Sequence, residues 1–100
     1  MNTKNAKANK PQPIKLDSFK VIRAKAVELS SGKTFIPFDV ELNGIRINGC
    51  SVGTDKDGND FISYPSYKGN DGKYYQHTSA YLSKEDQAAI LADVERIINE

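Results

Sequence analysis

The chain has a single cysteine, Cys50, and a single histidine, His77. One thiol cannot form an internal disulfide, and one thiol with one imidazole is too few for a zinc site of the usual Cys/His composition. Long apolar runs are missing too. None approaches the roughly 18 to 20 residues that cross a bilayer, so no membrane partner is expected. The opening MNTKNAKANK lacks the apolar stretch of a secretory signal, which makes the cytoplasm the expected location. Catalytic groups are equally scarce. No serine or cysteine has a local nucleophile context, and one histidine leaves few ways to assemble a triad. Asp55, Asp57 and Asp60 in TDKDGND resemble the opening of a calcium loop, but Ser66 stands at the twelfth position where glutamate is required. The reading is a protein that is not an enzyme, with no metal, no cofactor and no small-molecule substrate.

What is present suits one small domain. Apolar residues make up 38% of the 100 residues and charged residues 27%, the balance of a chain that buries a modest core. Charge is unevenly spread. Residues 1–15 hold Lys4, Lys7, Lys10 and Lys15 with no acid, so against the total of +1 the rest of the chain carries about −3. A mildly acidic body argues against a broad basic face of the kind that coats a duplex. Residues 1–16, rich in Asn, Lys and Pro, read as a disordered lysine-rich tail, and 17–100 as the domain.

The domain reads as α+β: a four- to five-stranded antiparallel sheet with one C-terminal amphipathic helix packed on it. Ser18 to Leu29 is predicted as a strand in which Val21, Arg23, Lys25 and Val27 alternate with Ile22, Ala24 and Ala26, an apolar face opposite a basic one. Ser30 to Lys33 is a turn. Thr34 to Leu42 is the clearest strand, with Phe38, Val40 and Leu42 in period two and Asp39 and Glu41 pointing the other way. Pro37 within it should sit at an irregularity, because it has no N–H for a ladder. Asn43-Gly44 is the strongest hairpin signal, since its turn needs two positive φ values. Ile45, Ile47 and Val52 continue on the returning strand, where Asn48-Gly49 marks a bulge or an early end. From Ser83 the period becomes helical, with Ser83 as N-cap, Glu85 and Asp86 in the first turn, and Ile90, Val94, Ile97 and Ile98 as an apolar stripe supported by Ala89 and Leu91.

Between these elements, Asp60 to Tyr81 holds all five tyrosines and the histidine. It reads as a strand from Asp60 to Tyr64, a reversal at Gly69-Asn70-Asp71-Gly72, and a second strand from about Lys73 to Thr78. If Lys73, Tyr75 and His77 share one face, Tyr74, Gln76 and Thr78 occupy the other. Tyr64 and Tyr81 are expected in core or dimer packing, and Tyr67 and Tyr75 toward solvent. His77 reads as a hydrogen-bonded surface residue and Cys50 as a small buried filler.

The run from Asn43 onward resembles the stage V sporulation protein G (SpoVG) family of small bacterial regulators. The resemblance is carried by Phe61-Ile62-Ser63-Tyr64-Pro65-Ser66, then Tyr67-Lys68, then Asp71-Gly72-Lys73-Tyr74, then the helix from Ser83 to Ile98. Where the family's loop is richer in Lys and Arg, Lys68 stands here beside Tyr67. The resemblance implies an α+β sheet with one helix, a homodimer, and binding of DNA and RNA. Read on its own, the hairpin points the same way. Exposed tyrosines stack unstacked bases at roughly 1–3 kcal/mol each, and Lys68 and Lys73 can meet the backbone, a combination that suits single strands. The expected nucleic-acid contacts are Tyr67, Lys68, Lys73 and Tyr75, helped by Arg23, Lys25 and Arg46. The alternative is a protein-binding adaptor or inhibitor that recruits a partner chain at a sheet edge.

Overall fold

The computed structural model describes residues 12–100. The part of the lysine-rich tail that carries Lys4, Lys7 and Lys10 lies outside the described residues. Phe19–Ala24 (β1), Pro37–Leu42 (β4), Ile45–Thr54 (β5) and Asp60–Ser63 (β6) form an antiparallel sheet in the order β1-β4-β5-β6. Two two-stranded ribbons accompany it: Val27–Glu28 (β2) with Thr34–Phe35 (β3), and Ser66–Lys68 (β7) with Tyr74–Gln76 (β8). The helix Lys84–Ile98 (α1) packs on one face of the sheet, so the fold is α+β.

The alternation of β4 sets the core. Phe38, Val40 and Leu42 point to the helix side, where they meet Val21, Ile47, Cys50 and Ile62 of the neighbouring strands and Ile90 and Val94 of α1. The last two are 0% and 1% exposed, and complete burial of such a side chain contributes about 1.5–3 kcal/mol. Ser83 caps α1 by accepting the Asp86 N–H on its hydroxyl at 3.1 Å. Ala89, expected to support the apolar stripe, is exposed, because the buried face runs through Gln87, Ile90, Leu91 and Val94.

Three connections share one turn. Leu29 to Lys33, Asp55 to Asn59 and Gly69 to Lys73 each close with the fourth residue's N–H on the first residue's carbonyl, and with the first N–H on the fifth carbonyl. The fourth residue is glycine each time, at φ 86, 85 and 81 for Gly32, Gly58 and Gly72, a left-handed conformation that costs side-chain-bearing residues. In the tyrosine hairpin only Gly72 of the tetrad takes a positive φ, whereas Asn43 and Gly44 both do, as their two-residue turn demands.

Two expected strands are each divided, and a third pairs elsewhere. Ser18 to Leu29 becomes β1 and β2, separated at Lys25-Ala26, with the Lys25 N–H donating to the Pro37 carbonyl at 3.2 Å. Within β1 a bulge between Val21 and Arg23 puts Val21 in the core and Arg23 opposite Asp39, so the uniform alternation expected there is interrupted. Thr34 to Leu42 becomes β3 and β4, with Pro37 as the first residue of β4. The tyrosine hairpin does not begin on Asp60 to Tyr64. β6 pairs with β5, the chain leaves the sheet at Tyr64-Pro65, and β7 is the strand that pairs with β8. Each later break falls at a proline, which cannot donate to a continuing ladder.

Residues 14–18 are fastened to the sheet. The Ile14 N–H donates to the Tyr81 carbonyl at 2.9 Å, and Leu16 packs against the core. Asn43 Oδ1 accepts the N–H groups of Asp17 and Ser18, while its Nδ2 donates to the Lys15 carbonyl at 2.8 Å. No helix among the described residues is long and apolar enough to cross a membrane.

Candidate nucleic-acid interface

The β7–β8 ribbon owes its geometry to its turn. With Gly69 and Lys73 joined, Tyr67 falls opposite Tyr75, Lys68 opposite Tyr74 and Ser66 opposite Gln76. The His77 N–H donates to the Pro65 carbonyl at 2.8 Å and extends the same face by one rung. Tyr67, Tyr75 and His77 consequently gather on one side. Their ring centroids are 5.8 Å apart for Tyr67 and Tyr75 and 4.8 Å for Tyr67 and His77, at interplanar angles of 31° and 40°. All six strand residues are exposed, with Tyr67 at 48% and Tyr75 at 43%, so α1 covers neither ring. Tyr74, at 72%, lies on the opposite side with Lys68. Lys73 closes the turn just before β8.

Asp71 restrains this surface. Tyr75 donates its hydroxyl to Asp71 Oδ2 at 2.5 Å, and the Lys73 N–H donates to Oδ1 at 3.0 Å. Those two hydrogen bonds hold the Asp71 carboxyl below the usual carboxylate range, and the bond to Asp71 raises the Tyr75 phenol above its own. Gly69 lets the Tyr75 ring lie close over the turn, because a Cβ built there would stand 2.8 Å from the ring.

Tyr64 belongs elsewhere. It packs against the core and donates its hydroxyl to the Ala80 carbonyl at 3.0 Å, and burial raises its phenol. Tyr81 is more than half exposed and serves the fold through its carbonyl.

Of the three basic positions, Arg23 and Arg46 are already paired, while Lys25 is exposed between β1 and β2. On the sheet face opposite α1, Arg23 Nε donates to Asp39 Oδ2 at 2.5 Å and an Arg46 terminal nitrogen lies 3.9 Å from the same oxygen. Arg46 Nε also donates to Asn48 Oδ1 at 2.7 Å. Lys25 sits beside Arg23 around a hollow of about 280 Å³ that Pro37, Phe38 and Asp39 also line. Asp39 is 7% exposed, and Gly49 donates its N–H to Oδ1. The Arg23 hydrogen bond, the Gly49 N–H and the two guanidinium charges outweigh burial and hold its carboxyl below the ordinary value. A buried carboxylate thus takes up much of the charge that Arg23 and Arg46 were expected to offer a phosphate.

Two residues of the site were not singled out by sequence reasoning. The sequence puts His77 on one face with Tyr75 as a hydrogen-bonded surface residue, but not among the expected contacts, because its approach to the Tyr67 ring depends on the ribbon's register. Asp39 was read only as outward, and nothing in its local pattern signals that two arginines from other strands converge on it. No family model, curated protein or solved structure matches the chain.

Proposed function

We propose that the chain binds single-stranded DNA or RNA through the Tyr67–Tyr75–His77 face of its projecting ribbon, as a small homodimeric cytoplasmic regulator of the SpoVG kind. The observation that carries this reading is the exposed row of three aromatic rings on a ribbon the helix leaves uncovered. Each ring offers a flat face to an unstacked base, and such contacts tolerate any sequence because every base has a π face. Lys73 closes the turn at one end of the row and Lys68 lies on the ribbon's other face beside Tyr74, and both supply charge for phosphates that pass around the ribbon. The segments that carry the family resemblance fall on β6 and the entry to β7, on the Asp71-Gly72 turn, and on α1. Exposed Leu29 and Phe35, at the β2–β3 ribbon, provide apolar area for a second copy.

The test is a titration of labelled oligothymidylate, oligouridylate and a duplex at low and physiological salt. Single strands are expected to bind more tightly than the duplex. Tyr67→Ala with Tyr75→Ala should weaken binding by at least about tenfold, given roughly 1–3 kcal/mol per stacked base. Tyr74→Ala, on the other face, should leave it unchanged. Absence of binding at low salt, or a loss caused only by deleting residues 1–11, would remove the ribbon from consideration.

A further inference from the structure

Among the described residues, β6 is paired on one side only, by β5. In an antiparallel ladder every second residue turns its N–H and C=O away from the partner strand. Ile62 is such a residue, since its N–H donates to Gln87 Oε1 of α1 at 3.0 Å. By the same alternation the main-chain groups of Asp60 face outward beside it. The side-chain amide of Gln87 therefore occupies the place that the backbone carbonyl of an added strand would take.

The space beyond this edge has a definite shape and charge. A groove of about 680 Å³ runs between β6 and α1, with Asp60, Phe61, Gln87, Leu91 and Glu95 along it. A second hollow of about 310 Å³ shares Asp60, Leu91 and Glu95 and continues over Val94 and Ile98. Asp55, Asp60 and Glu95 line the larger groove against a single cation, Lys84.

We infer that this groove takes an extended, lysine- or arginine-bearing segment of a partner protein, which pairs with β6 as an additional strand in place of the Gln87 amide. Strand addition of this kind uses main-chain hydrogen bonds for affinity and alternate side chains for specificity. Here the side chains turned toward α1 meet Leu91 and, as cations, Asp60 and Glu95, while those turned to the other face meet Phe61, whose ring lies over Gly53. The acidic lining repels a polynucleotide, so the site is separate from the ribbon. It also disfavours a second copy joined β6 to β6, which would set this row of acids against itself.

The test uses the isotope-labelled full chain and a capped peptide of alternating valine and lysine, compared with its glutamate-for-lysine counterpart. The lysine peptide is expected to shift the amide signals of Asp60, Ile62, Ser63 and Leu91 saturably, and the glutamate peptide to leave them in place. Glu95→Lys should weaken binding by up to about fivefold, the scale of an exposed ion pair. Gln87→Ala should tighten it by about two- to tenfold, by removing a competing hydrogen bond. Neither variant should change oligonucleotide binding, which keeps the two sites distinguishable. Equal response to both peptides, or no response on β6, overturns the inference. Binding that emerges only after residues 1–11 are deleted assigns the groove to the chain's own arm, and a dimer dissolved by the peptide assigns it to a second copy; either result overturns it as well.

Discussion

Asp39 Oδ1 accepts the Gly49 N–H at 2.9 Å, so the carboxylate of the central strand fills the bulge of its neighbour. Its other oxygen takes Arg23 Nε at the place where β1 is also bulged. One side chain thereby ties together the irregularities on both sides of β4. The ribbon starts from the same region, for a Cβ built on Gly49 would lie 3.7 Å from Pro65 Cβ, just before β7.

Removing that carboxylate should cost far more than a surface acid does. Asp39→Ala removes the charged acceptor of the Gly49 N–H and of Arg23 Nε; these donors are largely exposed, so the loss is the net worth of hydrogen bonds to a charged group, about 1.5–3 kcal/mol. A fall in Tm of roughly 4–8 °C per kcal/mol is expected for a domain of this size. Asp39→Asn, which keeps an acceptor but not the charge, should fall between. A melting curve unchanged in Asp39→Ala would rule out this role.

The pH dependence follows in sign. Because the Asp39 carboxyl is held below its ordinary value in the folded chain, its contribution is complete above the unfolded carboxylate's pKa, about 3.9. It is lost as pH falls through the folded value. Denaturant midpoints measured downward from neutral pH should therefore drop more steeply for the native sequence than for Asp39→Asn, and the two should converge in acid.

Much of the fold was legible because local signals agreed with it. Phe38, Val40 and Leu42 in period two, with Asn43-Gly44 after them, define the β4–β5 hairpin, and Ser83 with its acidic first turn defines the start of α1. Pro37 and Pro65 are visible in the sequence, but that the chain changes sheet beside each depends on partners far along it. The bulge between Val21 and Arg23 is hidden for a similar reason. Its phase is set by Asp39, sixteen residues away in sequence. The site was legible in part. Tyr75 and His77 share a face by simple alternation, whereas the placement of Tyr67 opposite Tyr75 depends on how the Gly69-to-Lys73 turn closes, and the pairing of Gln87 with Ile62 has no local signature.

Cys50 should behave as a reporter of opening. It is 1% exposed, and burial, reinforced by the negative charge of Asp39, raises its thiol to about 11. A free thiol near 8.5 reacts through its thiolate, so native Cys50 at mildly alkaline pH should be alkylated at least roughly two orders of magnitude more slowly than the unfolded chain. Labelling with iodoacetamide across a denaturant series should track unfolding. Fast labelling without denaturant would contradict the burial of this residue.

Phe61 and Gly53 form a matched pair across β5 and β6. A Cβ on Gly53 would stand 2.5 Å from the Phe61 ring, which covers the glycine as aromatic side chains do across a strand pair. Gly53→Ala should displace the ring at a cost of about 1–3 kcal/mol. In a double-mutant cycle, adding Phe61→Ala should recover part of that loss, giving a coupling of about 0.5 kcal/mol or more between residues in contact. Strict additivity would show that the ring does not depend on the glycine.

Tyr75 allows the ribbon to be tested apart from any ligand. Its phenol is raised by the hydrogen bond to Asp71, and its ring lies over Gly69. In Asp71→Ala the phenol loses its acceptor, so the Tyr75 ring-carbon resonance should titrate at lower pH than in the native chain. Gly69→Ala places a methyl group where the ring stands, and should move both that resonance and its contacts with Tyr67. If this ring stacks bases, the two variants must also separate in an oligonucleotide titration. Asp71→Ala removes an anion from the ribbon's tip and frees the Tyr75 hydroxyl without adding bulk beneath the ring, and should strengthen binding at low salt. Gly69→Ala tilts the ring and should weaken binding at every salt concentration. Variants that move the Tyr75 signal without changing affinity in these directions would leave the ring as packing for the turn alone.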